Sequence, residues 1–454
     1  MDLKGDKVVV VGTGISGIGA ARLLAKTQAK VVLYDSNEKV SEKDVYAKLP
    51  DVQVEVVIGT DFAKVLEGAK LLVISPGVPI DSEAVLEANR QNIPVWGEIE
   101  LAYNYEKGTV AAITGTNGKT TTTALVGEII KNHIKNTYVV GNIGNSYTGE
   151  VLKTDEDSVT VAEISSFQLE TTHDFRPHVS AILNITPDHL NRHKTMENYI
   201  KVKESITKNQ TQEDVCVLNY DDEVLRAFGA KECSASVLFF SRLYKIENGI
   251  CMNNDDIVLV KDGKETALMN VNDMKLIGKH NYENVMAAIG VAMSMGIPMD
   301  IIISTVKEFK AVEHRIEYVR ELNGVVYYND SKGTNTDAAI KAIEAMTRPT
   351  ILIGGGYDKH SEYDDWVLTF KDRAKHLILL GATRNKIAEC AKKHGYDKIT
   401  FVSTLSEAVS LSAKIAESGD AVLLSPACAS WDMYNNFEQR GDHFKDCVAH
   451  IGSW

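Results

Sequence analysis

Short continuous apolar runs alternate with longer stretches of helical periodicity along most of the chain. Residues 7–11, 30–35 and 70–74 are β-branched or leucine-rich runs of strand length, the pattern of strands buried on both faces. Between the first two, residues 18–25 space their apolar positions as a helix does. The alternation resumes after Gly97. It predicts a helix at 98–103, a strand ending at Ile113, and further strands at 137–140, 159–162, 179–183 and 215–218. An amphipathic helix is expected at 196–206 and a strongly apolar one at 285–295, and later strands at 324–328, 350–353, 376–380 and 421–424. Strands that alternate with helices imply mostly parallel sheets covered on both faces. Residues 216–270 depart from the rule: they are rich in β-branched residues, and Asn248-Gly249 and Asp262-Gly263 read as hairpin turns of an antiparallel addition. Proline and glycine break the pattern at 93–97, and a second break falls at 309–312. The expectation is an α/β protein of three domains: a Rossmann-like domain at 1–97, a central P-loop-type domain with a mostly parallel sheet at 98–310, and a second Rossmann-like domain at 311–454. A length of 454 residues suits about three cores.

Composition narrows the function classes. The formal net charge of -13 argues against a nucleic-acid partner, which normally meets a basic face. An anionic small substrate would need a local basic cluster. Six scattered cysteines without a C-x-x-C pair suit a reducing compartment and no zinc site. No apolar run approaches the ~20 residues of a membrane span. A cytoplasmic protein without membrane insertion is expected, and a monomer.

Two glycine-rich loops carry the first chemistry. Ala112-Ile-Thr-Gly-Thr-Asn-Gly-Lys-Thr-Thr-Thr-Thr-Ala124 is a strand, a loop and a helix start. Its backbone N–H groups, the helix N-terminus and Lys119 make an anion cradle, and a hydroxyl after the lysine is the usual inner magnesium ligand of a nucleoside triphosphate site. Ile113 stands where the Walker pattern has its first glycine. Upstream, Gly12-Thr-Gly14-Ile-Ser-Gly17 follows a strand, with Asp35 at the end of the next one. That fingerprint suits a nicotinamide dinucleotide, and so an oxidoreductase, but equally the diphosphate of a nucleotide sugar, bound with or without catalysis.

Polar groups then gather at strand ends, where α/β ligands sit. The middle domain brings Gly141-Asn142, Glu163-Ile-Ser-Ser166 and Asn184-Ile-Thr-Pro-Asp188-His189 to such positions. A carboxylate and an imidazole there are reasonable Mg²⁺ ligands. Asn281 and Asn284, a turn apart at a helix start, can read a purine edge. In the last domain, strands end in Asn329-Asp330-Ser-Lys332-Gly-Thr334, in Gly354-Gly-Gly-Tyr-Asp-Lys359 and in Ser425-Pro-Ala-Cys-Ala-Ser430. Arg315, Lys332 and Lys359 form the basic cluster an acidic protein needs for anions.

Together these blocks resemble the Mur ligase family, the ATP-dependent amide-bond ligases of peptidoglycan synthesis, and within it the members that add D-glutamate. The resemblance runs in order through Gly115-Thr-Asn-Gly-Lys-Thr120, Glu163–Glu170, Asn184–Leu190, His280–Asn284, His314–Glu317, Asn329–Asn335, Leu424–Ser430 and Asn436–Gly441. It implies ATP and two Mg²⁺ ions, with Mn²⁺ able to substitute, and as partners UDP-N-acetylmuramoyl-L-alanine and D-glutamate. A relative adding another amino acid is the alternative within the family. The resemblance gives Lys119, Glu163, His189, Lys203 and Asn142 catalytic roles, with Thr120, Glu163, His189 and a carbamylated Lys203 on the metals. ATP would lie on Gly115, Thr116, Asn117, Gly118, Lys119, Thr120, Thr121, Asn281, Asn284, Arg315 and Asp330. The UDP-substrate would meet Ile15, Ser16, Asp35, Ser36, Gly77, Asn142 and His189. D-glutamate would meet Lys332, Thr334, Lys359, Ser430 and Phe437.

Overall fold

The computed structural model describes residues 2–59, 61–142, 145–310, 312–359 and 361–452. The domain boundary expected at Ala311 lies outside the described residues. Close contacts group the chain into two units: Met1–Val271 with Glu283–Val306, and Asn272–Tyr282 with Lys307–Trp454.

The first unit holds two sheets. One contains β1 (Lys7–Val11), β2 (Lys30–Asp35), β3 (Glu55–Ile58), β4 (Ala69–Ile74) and β5 (Val95–Gly97). All are parallel, in the order β3-β2-β1-β4-β5. The order reverses between β1 and β4, so the loops after those two strands diverge and leave a crevice at their carboxyl ends. Val8, Val9 and Val10 of β1 are fully buried, as expected for a central parallel strand with helices on both faces.

The other sheet contains β6 (Thr109–Thr114), β7 (Thr137–Gly141), β8 (Val159–Glu163), β9 (Val179–Ile182), β10 (Val215–Asn219), β11 (Ser236–Ser241), β12 (Gly249–Asn253), β13 (Asp256–Lys261) and β14 (Lys264–Asn270). Its order is β14-β13-β12-β11-β10-β9-β6-β8-β7. Strand β6 therefore has β8 and β9 as neighbours, which sets Glu163 and the 183–189 segment on either side of the loop that follows it.

The second unit holds β15 (Glu317–Leu322), β16 (Val325–Asn329), β17 (Thr350–Gly354), β18 (Ala374–Leu379), β19 (Ile399–Phe401) and β20 (Ala421–Leu424), in the order β15-β16-β20-β17-β18-β19. The ends of β16, β20 and β17 are thus adjacent.

Three expectations are corrected, and one strand was not foreseen. The first helix begins at Ile15 and runs to Lys26, so it opens inside the glycine fingerprint, before residue 18. The 216–270 addition is antiparallel only at its far edge: β10, β11 and β12 pair in parallel, and Asn248-Gly249 is a crossover end and no hairpin turn. Asp262-Gly263 is a hairpin turn with both φ angles positive, the two-residue geometry that matches strand twist. Strand β15, hidden by its charged residues, pairs antiparallel with β16 along the edge of the last sheet.

One buried carboxylate secures the connection between the first helix after Gly97 and the middle sheet. Glu100, on helix Glu98–Tyr103, is fully buried. It accepts backbone N–H bonds from His173 (2.8 Å), Asp174 (2.7 Å) and Phe175 (3.2 Å). Each bond to a charged acceptor contributes about 1.5–3 kcal/mol, and removing the acceptor strands buried donors. Glu100→Ala is expected to destabilise the protein by about 3 kcal/mol or more, measured as a lowered urea midpoint in equilibrium unfolding.

Candidate active site

The loop after β6 is shaped by its neighbours before any ligand is considered. Gly118 caps helix Lys119–Lys131 at φ +85°, and a Cβ there would lie 2.2 Å from the Asn284 amide oxygen. Only glycine meets both demands. The Asn184 side chain grips the backbone of Asn117 at both ends: its oxygen accepts from the N–H at 2.8 Å and its amide donates to the carbonyl at 3.1 Å. Thr116 is held as firmly. Its N–H donates to the Asn184 carbonyl (2.9 Å), and its hydroxyl donates to the Thr186 carbonyl (3.1 Å) and accepts from the Thr186 N–H (3.0 Å). The Tyr199 hydroxyl lies 3.0 Å from the same oxygen.

Two lysines converge on this loop. Lys119 Nζ donates to the carbonyls of Gly115 and Thr116, both at 2.9 Å. Lys203 reaches the same Gly115 carbonyl at 2.8 Å from helix Met196–Glu204 and is only 1 % exposed. Burial, then the neighbouring Lys119 charge, hold the Lys203 amine well below its ordinary pKa, against a smaller upward pull from Asp188 and Glu163. Thr120 and Thr121 are buried in the first helical turn.

Glu163, at the end of β8, is 1 % exposed. One carboxylate oxygen accepts from the Asn142 amide at 2.7 Å, and the Asn142 N–H donates to the Glu163 carbonyl at 2.9 Å. The other carboxylate oxygen is buried with no hydrogen-bond partner. Gly141 permits this closeness: at φ +103°, a Cβ there would meet the Glu163 carbonyl oxygen at 2.2 Å. A buried anionic oxygen without a donor is costly unless a cation completes it, so the donor set suits a hard divalent ion such as Mg²⁺. His189 stands at φ +51°, an uncommon left-handed conformation for a residue with a side chain. Its half-exposed ring packs 4.8 Å from the ring of Phe167.

A cavity of about 640 Å³ opens at the carboxyl ends of β1 and β4. Ile15, Ser16, Asp35, Ser36, Gly77 and Asn142 line it, while His189 does not; Ser75, Glu98 and Gln168 are lining residues the sequence reading missed. Asp35 is engaged with the glycine loop: one oxygen accepts from the Thr13 N–H (3.1 Å) and hydroxyl (2.6 Å). A nicotinamide enzyme would present that carboxylate to a ribose.

In the second unit, Arg315 sits between His314 (φ +63°) and Ile316 (φ +46°). A β-branched residue in that region is strained, as at many ligand sites. The buried Arg315 Nε has no hydrogen-bond partner. Asp330 is buried and accepts from the Ser425 hydroxyl (2.7 Å) and the Ile316 N–H (3.2 Å). Burial raises its pKa to about 7, opposed by Ser425, Arg315, the Ile316 N–H and Arg440. The Asn281 amide donates to the Ile277 carbonyl at 2.7 Å. Lys332 Nζ lies 5.4 Å over the Phe437 ring, and Ser430 is buried after β20. Thr334 is half-buried in the loop after β16, whereas Lys359 is exposed after β17. Sequence reasoning placed Asn184 and Ser425 in polar strand-end blocks but gave no role to them, nor to Tyr199, Ser331 and Arg440.

The phosphate loop, the buried carboxylate beside it and the flanking α/β sheets define a multidomain P-loop-type nucleotide-binding protein. Three domain descriptions match in order: the Mur ligase MurD-like N-terminal domain at 6–97, the Mur ligase middle domain at 113–292 and the Mur ligase glutamate ligase domain at 314–428. The chain is 60 % identical over 451 residues to a UDP-N-acetylmuramoylalanine--D-glutamate ligase of Lachnospira eligens, covering 99 % of this chain and 100 % of that one. It is 47 % identical to the ligase of the same name from Clostridioides difficile, over 99 % and 100 % of the two chains. The solved UDP-N-acetylmuramate-alanine ligase of Thermotoga maritima shares the fold, with a TM-score of 0.62 at 19 % identity over 99 % of this chain and 100 % of that one. The chain belongs to the Mur ligase family.

Asp330 sets a pH signature. Its folded-state pKa of about 7 lies above the unfolded value of 3.8, so between these values the native state binds the extra proton. The stability it contributes is complete below the lower value and is lost as pH rises through 7. The span corresponds to about 4 kcal/mol at most. Asp330→Asn is expected to flatten the fall in stability of the second unit between pH 4 and about 7, followed by urea unfolding across that range.

Proposed function

We propose that the protein is an ATP-dependent ligase that joins D-glutamate to the carboxylate of UDP-N-acetylmuramoyl-L-alanine, in the cytoplasm and as a monomer. The observation that carries this reading is the unpartnered, buried Glu163 oxygen beside a lysine-bearing phosphate loop, in a chain of this family. No described helix is long and apolar enough to cross a membrane. The three domains are proposed to run 1–97, 98–310 and 311–454.

A carboxylate is a poor acceptor for an amine because its leaving group would be an oxide. Attack of the substrate carboxylate on the γ-phosphorus of ATP breaks the bond to ADP and forms an acyl phosphate. The D-glutamate amine then adds to the acyl carbon, gives up a proton, and phosphate leaves as the amide forms. The protein's task is chiefly to position anions and neutralise their charge. Lys119 and the Gly115 to Thr121 segment, through the N–H groups at its helix start, would hold the β- and γ-phosphates. Thr120 and Glu163 would hold one magnesium ion, and His189 with carbamylated Lys203 a second; bound magnesium supplies charge neutralisation between phosphate and carboxylate. Asn142 would orient Glu163 and touch the transferring groups. Asn281, Asn284, Arg315 and Asp330 would bind the rest of ATP, and Lys332, Thr334, Lys359, Ser430 and Phe437 the D-glutamate. Ile15, Ser16, Asp35, Ser36 and Gly77 would seat the UDP-substrate.

Lys203 suits carbamylation because its lowered pKa favours the free amine. The amine adds to CO₂, releases a proton and becomes a carbamate anion, which can ligate a cation where an ammonium cannot. The nicotinamide alternative is disfavoured by the family, whose N-terminal domain description matches residues 6–97 and so covers the glycine fingerprint.

ADP release is expected to require both D-glutamate and UDP-N-acetylmuramoyl-L-alanine, and L-glutamate, L-alanine or diaminopimelate should not replace D-glutamate. ATP turnover with neither substrate would contradict the proposal. Lys203→Ala is expected to lose activity by a factor of order 100 or more, with partial recovery in acetate or formate, read in the same assay.

A further inference from the structure

Four residues proposed to hold D-glutamate lie on three segments of the second unit. Lys332 and Thr334 follow β16, Ser430 follows β20, and Phe437 opens helix Phe437–Ala449. The β16 loop is distant in sequence from the other two segments; pairing of β16 with β20 brings the loops together, and bonds beyond that pairing fix their spacing. Arg440, one turn beyond Phe437 and 4 % exposed, supplies that link. Its Nε donates to the Ser331 hydroxyl at 2.9 Å and one Nη to the Ser331 carbonyl at 2.8 Å. The other Nη donates to the carbonyls of Cys428 (3.1 Å) and Ala429 (3.3 Å). The Ser331 hydroxyl passes the connection on, donating to the Phe437 carbonyl at 2.8 Å. A Cβ on Gly356 would lie 3.3 Å from the same guanidinium, so the fork also abuts the loop that leads to Lys359.

The acceptors are immediate chain neighbours of the proposed binding residues: Ser331 precedes Lys332, and Ala429 precedes Ser430. A planar guanidinium with five donors holds the carbonyls of Ser331, Cys428 and Ala429 at once. A lysine, as a point charge on a flexible stem, cannot. Resting on the D-glutamate proposal above, we propose that Arg440 is a positioning residue for amino-acid recognition, setting the distances among the β16 loop, the β20 loop and Phe437.

The test is steady-state kinetics of the full-length Arg440→Lys and Ser331→Ala proteins, with each substrate varied in turn and thermal unfolding recorded alongside. Arg440→Lys should raise the KM for D-glutamate by about tenfold or more. The KM values for ATP and for UDP-N-acetylmuramoyl-L-alanine should stay within about twofold, and most of kcat should survive at saturating D-glutamate. Ser331→Ala, which cuts the link to Phe437 but leaves three bonds of the fork, should shift the same KM by a smaller factor. It decides the matter alone if Arg440→Lys does not fold. An unchanged D-glutamate KM, or a parallel rise in all three KM values, would overturn the inference. A wild-type protein that does not use D-glutamate would instead overturn the function beneath it, and that is seen before any variant is made.

Discussion

Everything proposed for the first unit depends on the rigidity of the loop that follows β6. Three backbone groups of Thr116 and Asn117, with the hydroxyl of Thr116, are committed to Asn184, Thr186 and Tyr199, while two lysines share the Gly115 carbonyl. A loop tied in this way fixes the helix-start N–H groups that follow it before an anion arrives, and preorganised donors cost no rearrangement when charge develops. The same crowding lowers the proton affinity of Lys203, because the buried amine faces Lys119. One constraint thus serves two ends. It shapes the phosphate cradle, and it favours the neutral amine that can take up CO₂.

The second unit solves a related problem differently. Its proposed amino-acid site is assembled from loop ends of three strands, and loops alone do not hold side chains to a fraction of an ångström. Buried polar bonds take over: Asp330 joins Ser425 to Ile316, and Arg440 joins Ser331 to Cys428 and Ala429. Strain at His314 and Ile316 sits beside this network and holds Arg315 with an unpaired Nε. In both units the side chains proposed to act are supported by residues outside the proposed contacts, Asn184 and Tyr199 in one and Arg440 in the other.

Much of this was legible in the sequence where the chemistry is local. The glycine loops, the strand-end carboxylate at Glu163 and the apolar strands of the parallel sheets follow from short-range pattern, and the structure has them at strand ends as expected. The misses have a common cause, since each depends on partners distant in sequence. Strand β15 was invisible because its residues are charged and only its pairing with β16 defines it. The parallel pairing of β10 to β12 overrode the turn signal of Asn248-Gly249. Arg440 reads as one more charge on an amphipathic helix until the carbonyls of Cys428 and Ala429 are brought to it.

The central claim is that the phosphate loop activates a carboxylate by phosphorylating it. It is tested most directly with UDP-N-acetylmuramoyl-L-alanine carrying ¹⁸O in its carboxylate, turned over with ATP and D-glutamate. The account predicts that one ¹⁸O atom appears in the released inorganic phosphate for each amide formed. Amide formation with no label in the phosphate would contradict it.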